Sequence, residues 1–157
     1  MWKIIGFGDG SHEFSPPCYP NAEQIDFAES ALGLIFPPDF RSFLQSQSVV
    51  TVPGAAIFFW VGSVENNIID VNHRLRQSCS SIDPFSGHEQ TMPPALSDHL
   101  IAFYTDGNGN FVCFDLNNLI NEWPSICFVD HERFGEPPTS IADSFGDWFA
   151  QFLHPGS

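Results

Sequence analysis

HLIAFYTDGNGNFVCFDL at residues 99–116, continued by WPSICFVDHE at 123–132, is the stretch whose reading decides the fold. Two apolar runs, 100–104 and 111–116, flank Asp106-Gly107-Asn108-Gly109. Asp-Gly and Asn-Gly pairs tolerate the positive φ values that a tight hairpin turn requires. A third run, 126–129, follows Trp123-Pro124. Phenylalanine, valine, isoleucine and cysteine dominate these runs, and such residues suit a pleated, well-buried surface. The expectation is a meander of antiparallel strands at the centre of one domain.

Outward from that centre, helices are expected on both sides in sequence. Residues 21–32 carry Asn21 as a cap with Gln24 three positions on, and Gly33 suits the left-handed position at the end. Ile25, Ala28 and Leu32 share one face. A shorter helix opens at Pro37-Pro38-Asp39, with Phe40, Phe43 and Leu44 as its apolar stripe. Residues 49–52 and 57–60 read as strands, and 2–7 as a short edge strand within an N-terminal extension over 1–20. Ser63 is the expected cap of a helix through Arg76, and Ser140 with Asp143 the expected box of a helix over 140–153. The last stripe is Ile141, Phe145, Trp148, Phe149 and Phe152. Residues 77–97 show no period and predict a long polar loop, a kind of segment that is often either functional or disordered, so a partner-contacting loop and a merely tolerated insertion both stand.

Composition narrows the function. A chain of 157 residues is most simply one domain, since domains run roughly 100–200 residues. Nineteen acidic residues face five basic ones, a net charge of −14. From Gln77 onward eleven acids stand against Arg133 alone, so that part carries −10 of the total. Phosphate contacts need lysine and arginine, which disfavours nucleic acid and anionic membranes as direct partners. A basic protein partner is favoured instead. Cys18, Cys79, Cys113 and Cys127 have no zinc-like spacing, and the last two fall in strands where cysteine acts as a small hydrophobe. The N-terminal residues do not read as a signal peptide, and no apolar run reaches the about 20 residues of a membrane span. The expected location is the reducing cytoplasm.

Motifs with chemical promise fail on inspection. GFGDGS at residues 6–11 lacks the spacing of a phosphate loop. DGNGN at 106–110 begins like a calcium loop, but Phe111 stands where that loop needs glycine and Asn117 where it needs glutamate. Asp130, His131 and Glu132 resemble acid–base or metal chemistry. On a strand, however, Asp130 and Glu132 would face one side and His131 the other, so the three could not converge on one ion. No cofactor, metal or catalytic residue is expected.

Four segments, IDFAESALGLIFPPDFRSFL, IAFYTDGNGNFVCFDL, ICFVDHE and SIADSFGDWFAQFL, together resemble the SUKH superfamily. This is the family of yeast Smi/Knr cell-wall assembly regulators and many bacterial immunity proteins. The resemblance rests on Leu32-Gly33, Phe36-Pro37, Phe40, Phe43-Leu44, Gly109, Cys113, Asp115, His131-Glu132 and Ser144-Phe145-Trp148, in family order. It implies an α+β single domain with a twisted central antiparallel sheet flanked by helices. It implies no catalysis and, for bacterial members, a cytoplasmic antidote that binds a toxin, often a nuclease.

The resulting expectation is an immunity protein that meets a basic toxin domain through acidic residues of the second half. The chief candidates are Asp83, Glu89, Asp98, Asp106, Asp130 and Glu132, with Trp60 as an aromatic anchor if exposed. Two alternatives stand beside it. One is a regulatory scaffold for signalling or cell-wall enzymes; the other is an enzyme of unrecognised type using Asp130, His131 and Glu132.

Overall fold

Asn21 and Gln24 begin the first helix by satisfying each other's backbone. The Gln24 amide donates to Asn21 Oδ1 at 2.9 Å, and the Asn21 amide donates to Gln24 Oε1 at 3.0 Å. At the other end Gly33 adopts φ 73°, and the amides of Gly33 and Leu34 both donate to the Glu29 carbonyl. The computed structural model describes residues 20–46, 57–58, 61, 67–133, 135–154 and 156. The strands expected at 2–7 and 49–52, and Trp60, lie outside them.

In chain order the elements are α1 (Ala22–Leu32), α2 (Pro38–Ser46), β1 (Ile57–Phe58), α3 (Ile68–Leu75), β2 (Cys79–Ile82), β3 (Glu89–Met92), β4 (Leu100–Thr105), β5 (Phe111–Ile120), β6 (Trp123–Val129), β7 (Thr139–Ala142) and α4 (Phe145–Leu153). A 3₁₀ turn at His131–Arg133 follows β6. Five strands form one antiparallel sheet in the order β1-β4-β5-β6-β7, while β2 and β3 form a separate pair. The expected α+β meander is therefore present, and its central strands are those read from the sequence.

Glu29 ties α1 to α2. Its carboxylate accepts from the Phe36 amide at 2.9 Å and from Arg41 Nη1 at 2.9 Å, while Arg41 Nη2 reaches Asp26 at 2.6 Å. The bonds to Asp26 and Glu29 raise the Arg41 pKa. This corner aims Phe36 and Phe40 at the sheet. The Phe40 ring centroid lies 5.0 Å from that of Phe114, 4.9 Å from Phe145 and 5.6 Å from Phe103. A register shift in β4 between Ala102 and Tyr104 marks a bulge. The bulge lets two neighbouring side chains meet α4, with Phe103 at 5.1 Å and Tyr104 at 5.4 Å from Trp148.

The middle of the opposite sheet face carries small side chains. Pairing sets Ala102 against Cys113 and Cys113 against Cys127, and all three are buried. Burial and the neighbouring Cys127 push the Cys113 thiol well up, which makes it a poor nucleophile. At the side of β4, Asn72 from α3 is fully buried and acts as a fragment of strand. Its Oδ1 accepts from the Ala102 amide at 2.8 Å, and its Nδ2 donates to the Ala102 and Ile68 carbonyls, each at 2.8 Å.

Three expectations need correction. The described part of the third helix starts at Ile68, where Asn67 Oδ1 caps the Ile69 amide at 2.9 Å; Ser63 lies outside the described residues. The last helix starts at Phe145, not at Ser140. Two Ser-x-x-Asp boxes stand in succession, and the second one caps: the Asp147 amide donates to Ser144 Oγ at 3.1 Å. Residues Thr139–Ala142 instead pair with β6, and Ile141 belongs to that strand. Finally, the polar stretch over 77–97 is no structureless loop but holds the β2–β3 hairpin. Its strands CSSI and EQTM have no apolar face, so periodicity could not reveal them.

Candidate functional site

The sheet ends at Thr105, Phe111 and Val129, which lie side by side in register. Two loops leave that end together, 106–110 and 130–133. Asp106 organises the first. One of its oxygens accepts from the amides of Asn108 at 2.8 Å and Asn110 at 3.3 Å, and the other from Asn110 Nδ2 at 2.7 Å. Burial by itself would raise the Asp106 pKa, but the bonds from Asn108 and Asn110 together with nearby His131 outweigh it and hold the carboxyl below its ordinary range.

Asn110 carries the order across to the second loop. Its Oδ1 accepts from the His131 amide at 3.0 Å and lies 2.7 Å from His131 Nδ1. Because Asn110 Nδ2 already donates to Asp106, its oxygen must face the histidine, so Nδ1 carries the proton. Gly109 has φ 93°, and a Cβ there would sit 3.3 Å from the His131 ring. Only glycine lets the ring lie so close against this turn.

Strand geometry stops one residue short of the DHE segment. Asp130 turns back so that its carboxylate accepts from the Glu132 amide at 2.9 Å, and residues 131–133 form the 3₁₀ turn. The alternation expected for Asp130 and Glu132 on an extended strand is thereby replaced. The exposed Arg133 lies 3.8 Å from the half-buried Asp130 and 3.6 Å from the exposed Glu136. Asp106, Asp130 and Glu132 thus share one end of the sheet.

Asp98 does not join them. It precedes β4, whereas Asp106 follows it, and six strand residues span about 17 Å. At that far end Arg76 Nη2 donates to the Leu100 carbonyl at 3.0 Å. Burial lowers the Arg76 pKa, opposed by Asp98. His99 and Asp115 approach to 3.9 Å there. Asp83 and Glu89 belong to the separate hairpin. Asp83 shapes its tip, accepting from the Phe85 amide and from Ser86 Oγ, each at 2.8 Å. Those two bonds, the Phe85 amide first, lower its pKa.

Sequence reasoning missed the most exposed aromatic side chain described, Phe85, at 98% exposure. The Asp-Pro-Phe-Ser-Gly run marks a turn, which was the available signal, but a turn alone does not say that its ring meets water.

A cleft of about 330 Å³ lies between the starts of α1 and α3, lined by Asn21, Glu23, Gln24, Phe27, Val61, Asn67 and Ile69. It contains none of Asp130, His131 or Glu132. Among the described residues, no three His, Cys, Asp or Glu side chains are grouped so as to hold a metal ion. No described helix is long and apolar enough to cross a membrane.

No curated protein matches this chain. The succession of α1, the Leu-Gly and Phe-Pro corner, the Gly-turn meander and the Ser-capped aromatic helix is nonetheless that of a known family. Its model covers residues 19–151, and the chain belongs to the SMI1 / KNR4 family (SUKH-1).

Proposed function

We propose that the chain is a non-catalytic protein-binding domain, an immunity protein of the bacterial cytoplasm that neutralises a basic toxin domain by direct contact. The observation that carries this reading is the acidic surplus: eight Asp and Glu and no Lys or Arg from residue 77 to residue 132. Asp106, Asp130 and Glu132 stand in two loops cross-braced by Asn110, so little ordering entropy remains to be lost on binding. The polar groups that resemble chemistry are already engaged with each other, which supports a surface for contact over a reaction centre. A nuclease fits as the toxin, because a cleft that attracts phosphate is basic.

The test is binding to the purified product of the adjacent gene, with a protection assay in cells. Reversing Asp106, Asp130 and Glu132 to lysine together is expected to slow association by about tenfold or more at low salt and to flatten its salt dependence. An association rate unchanged by the triple reversal removes the electrostatic account. Binding without protection would favour the regulatory-scaffold reading.

A further inference from the structure

The β2–β3 hairpin is built unlike the rest of the molecule. All four residues of β2 and all four of β3 are exposed, and the large apolar side chains Ile82, Phe85 and Met92 are 70%, 98% and 47% exposed. Two-stranded hairpins are marginal when they bury no apolar face, so the turn has to hold this one. It does so through side chains and backbone alike. Asp83 accepts from Phe85 and Ser86, the Gly87 amide donates to the Asp83 carbonyl at 2.8 Å, and the Asp83 amide donates to the His88 carbonyl at 2.9 Å. The outcome is an ordered tip that points a phenyl ring into water.

We infer that Phe85 is the anchor of a protein–protein contact, entering an apolar socket whose rim is basic. Charge selects this occupant. Asp83 precedes the ring by two residues, Glu89 follows it by four, and no Lys or Arg lies between 77 and 132. A rim of arginine or lysine on the partner satisfies both carboxylates as the ring is buried, the arrangement in which a desolvated aromatic contributes most to binding. Nucleic acid and anionic membrane carry the wrong sign. A second copy of the chain carries the same net charge of −14 and is repelled.

The inference rests on the protein-binding reading above but makes a separate demand. The acids at the sheet end govern how fast the partner arrives; a buried ring governs how slowly it leaves. The experiment measures association and dissociation rates for the purified adjacent-gene product on the full chain. Phe85→Ala is expected to weaken affinity at least about 30-fold, with the loss in the dissociation rate. Phe85→Trp retains binding, and Leu119→Ala, which removes another exposed apolar side chain, leaves it unchanged. Circular dichroism shows whether each variant is folded. Wild-type affinity in Phe85→Ala overturns the anchor and leaves the immunity reading standing. No binding by the wild-type chain overturns both. A concentration-dependent dimer abolished by Phe85→Ala assigns the ring to a second copy and likewise overturns the proposal.

Discussion

The five-stranded sheet and the β2–β3 hairpin are both antiparallel, yet they treat their aromatic residues in opposite ways. In the sheet Phe103 and Phe114 lie 4.6 Å apart between centroids, roofed by Phe40 and Phe145, and all four rings are buried. In the hairpin Phe85 touches water on nearly every side. Strand pairing is therefore not what makes an element part of the core here. Burial of a side-chain layer does that, and the hairpin is held by its short strand ladder and the hydrogen bonds of its turn instead. A region of this second kind can be altered by evolution without disturbing the fold, which suits a surface that chooses a partner.

The sharpest way to break the comparison is to cut the same side chain in both regions. Phe40→Ala leaves a cavity among Phe36, Phe103, Phe114 and Phe145 and is expected to cost ~3–5 kcal/mol of unfolding free energy. Phe85→Ala, by contrast, is expected to change stability by less than about 0.5 kcal/mol. Urea unfolding of the two variants measures both. Similar losses would mean that the hairpin ring is packed after all.

A smaller effect tests how the sheet side is sealed. Asn72→Leu keeps the branched outline of the side chain but strands the Ala102 amide and carbonyl without their partner. The expected loss is ~2–3 kcal/mol, because buried backbone groups left unpaired lose their hydration without replacement. A variant as stable as the wild type would show that Ala102 finds other partners.

Asn72 also marks the limit of what the sequence discloses. Its partner lies 30 residues away, and nothing near NHR at 72–74 signals a strand mimic. The first helix, by contrast, was legible because Asn21, Gln24 and Gly33 act on their own neighbours. The last helix was legible in its stripe but not in its start, since Ile141 fits the same period as Phe145 and Trp148 while lying in β7, at the register shift between Ser140 and Ala142. The candidate surface was legible as composition only. That Asp98 and Asp106 fall at opposite ends was implicit in the meander, for one precedes and the other follows the same strand. The hairpin was hidden, because a strand without an apolar face leaves no period to find.

The smallest effect separates the regions by their carboxylates. Asp106 and Asp83 both hold pKa values below the ordinary range, one at the sheet end and one at the hairpin tip. A carboxyl that binds its proton more weakly folded than unfolded lends stability that is complete above the unfolded value, about 3.9, and disappears as pH falls through the folded one. Between about pH 5 and about pH 3, global stability should therefore decline, and Asp106→Asn should make the decline shallower. Asp83→Asn should leave the decline unchanged, since its bonds brace only a turn that carries no core. It should instead abolish the acid titration of the Phe85 amide signal in NMR spectra, whose hydrogen-bond acceptor it alters. If Asp83→Asn flattens the global decline as much as Asp106→Asn does, the hairpin is coupled to the sheet, and the two regions are one cooperative unit.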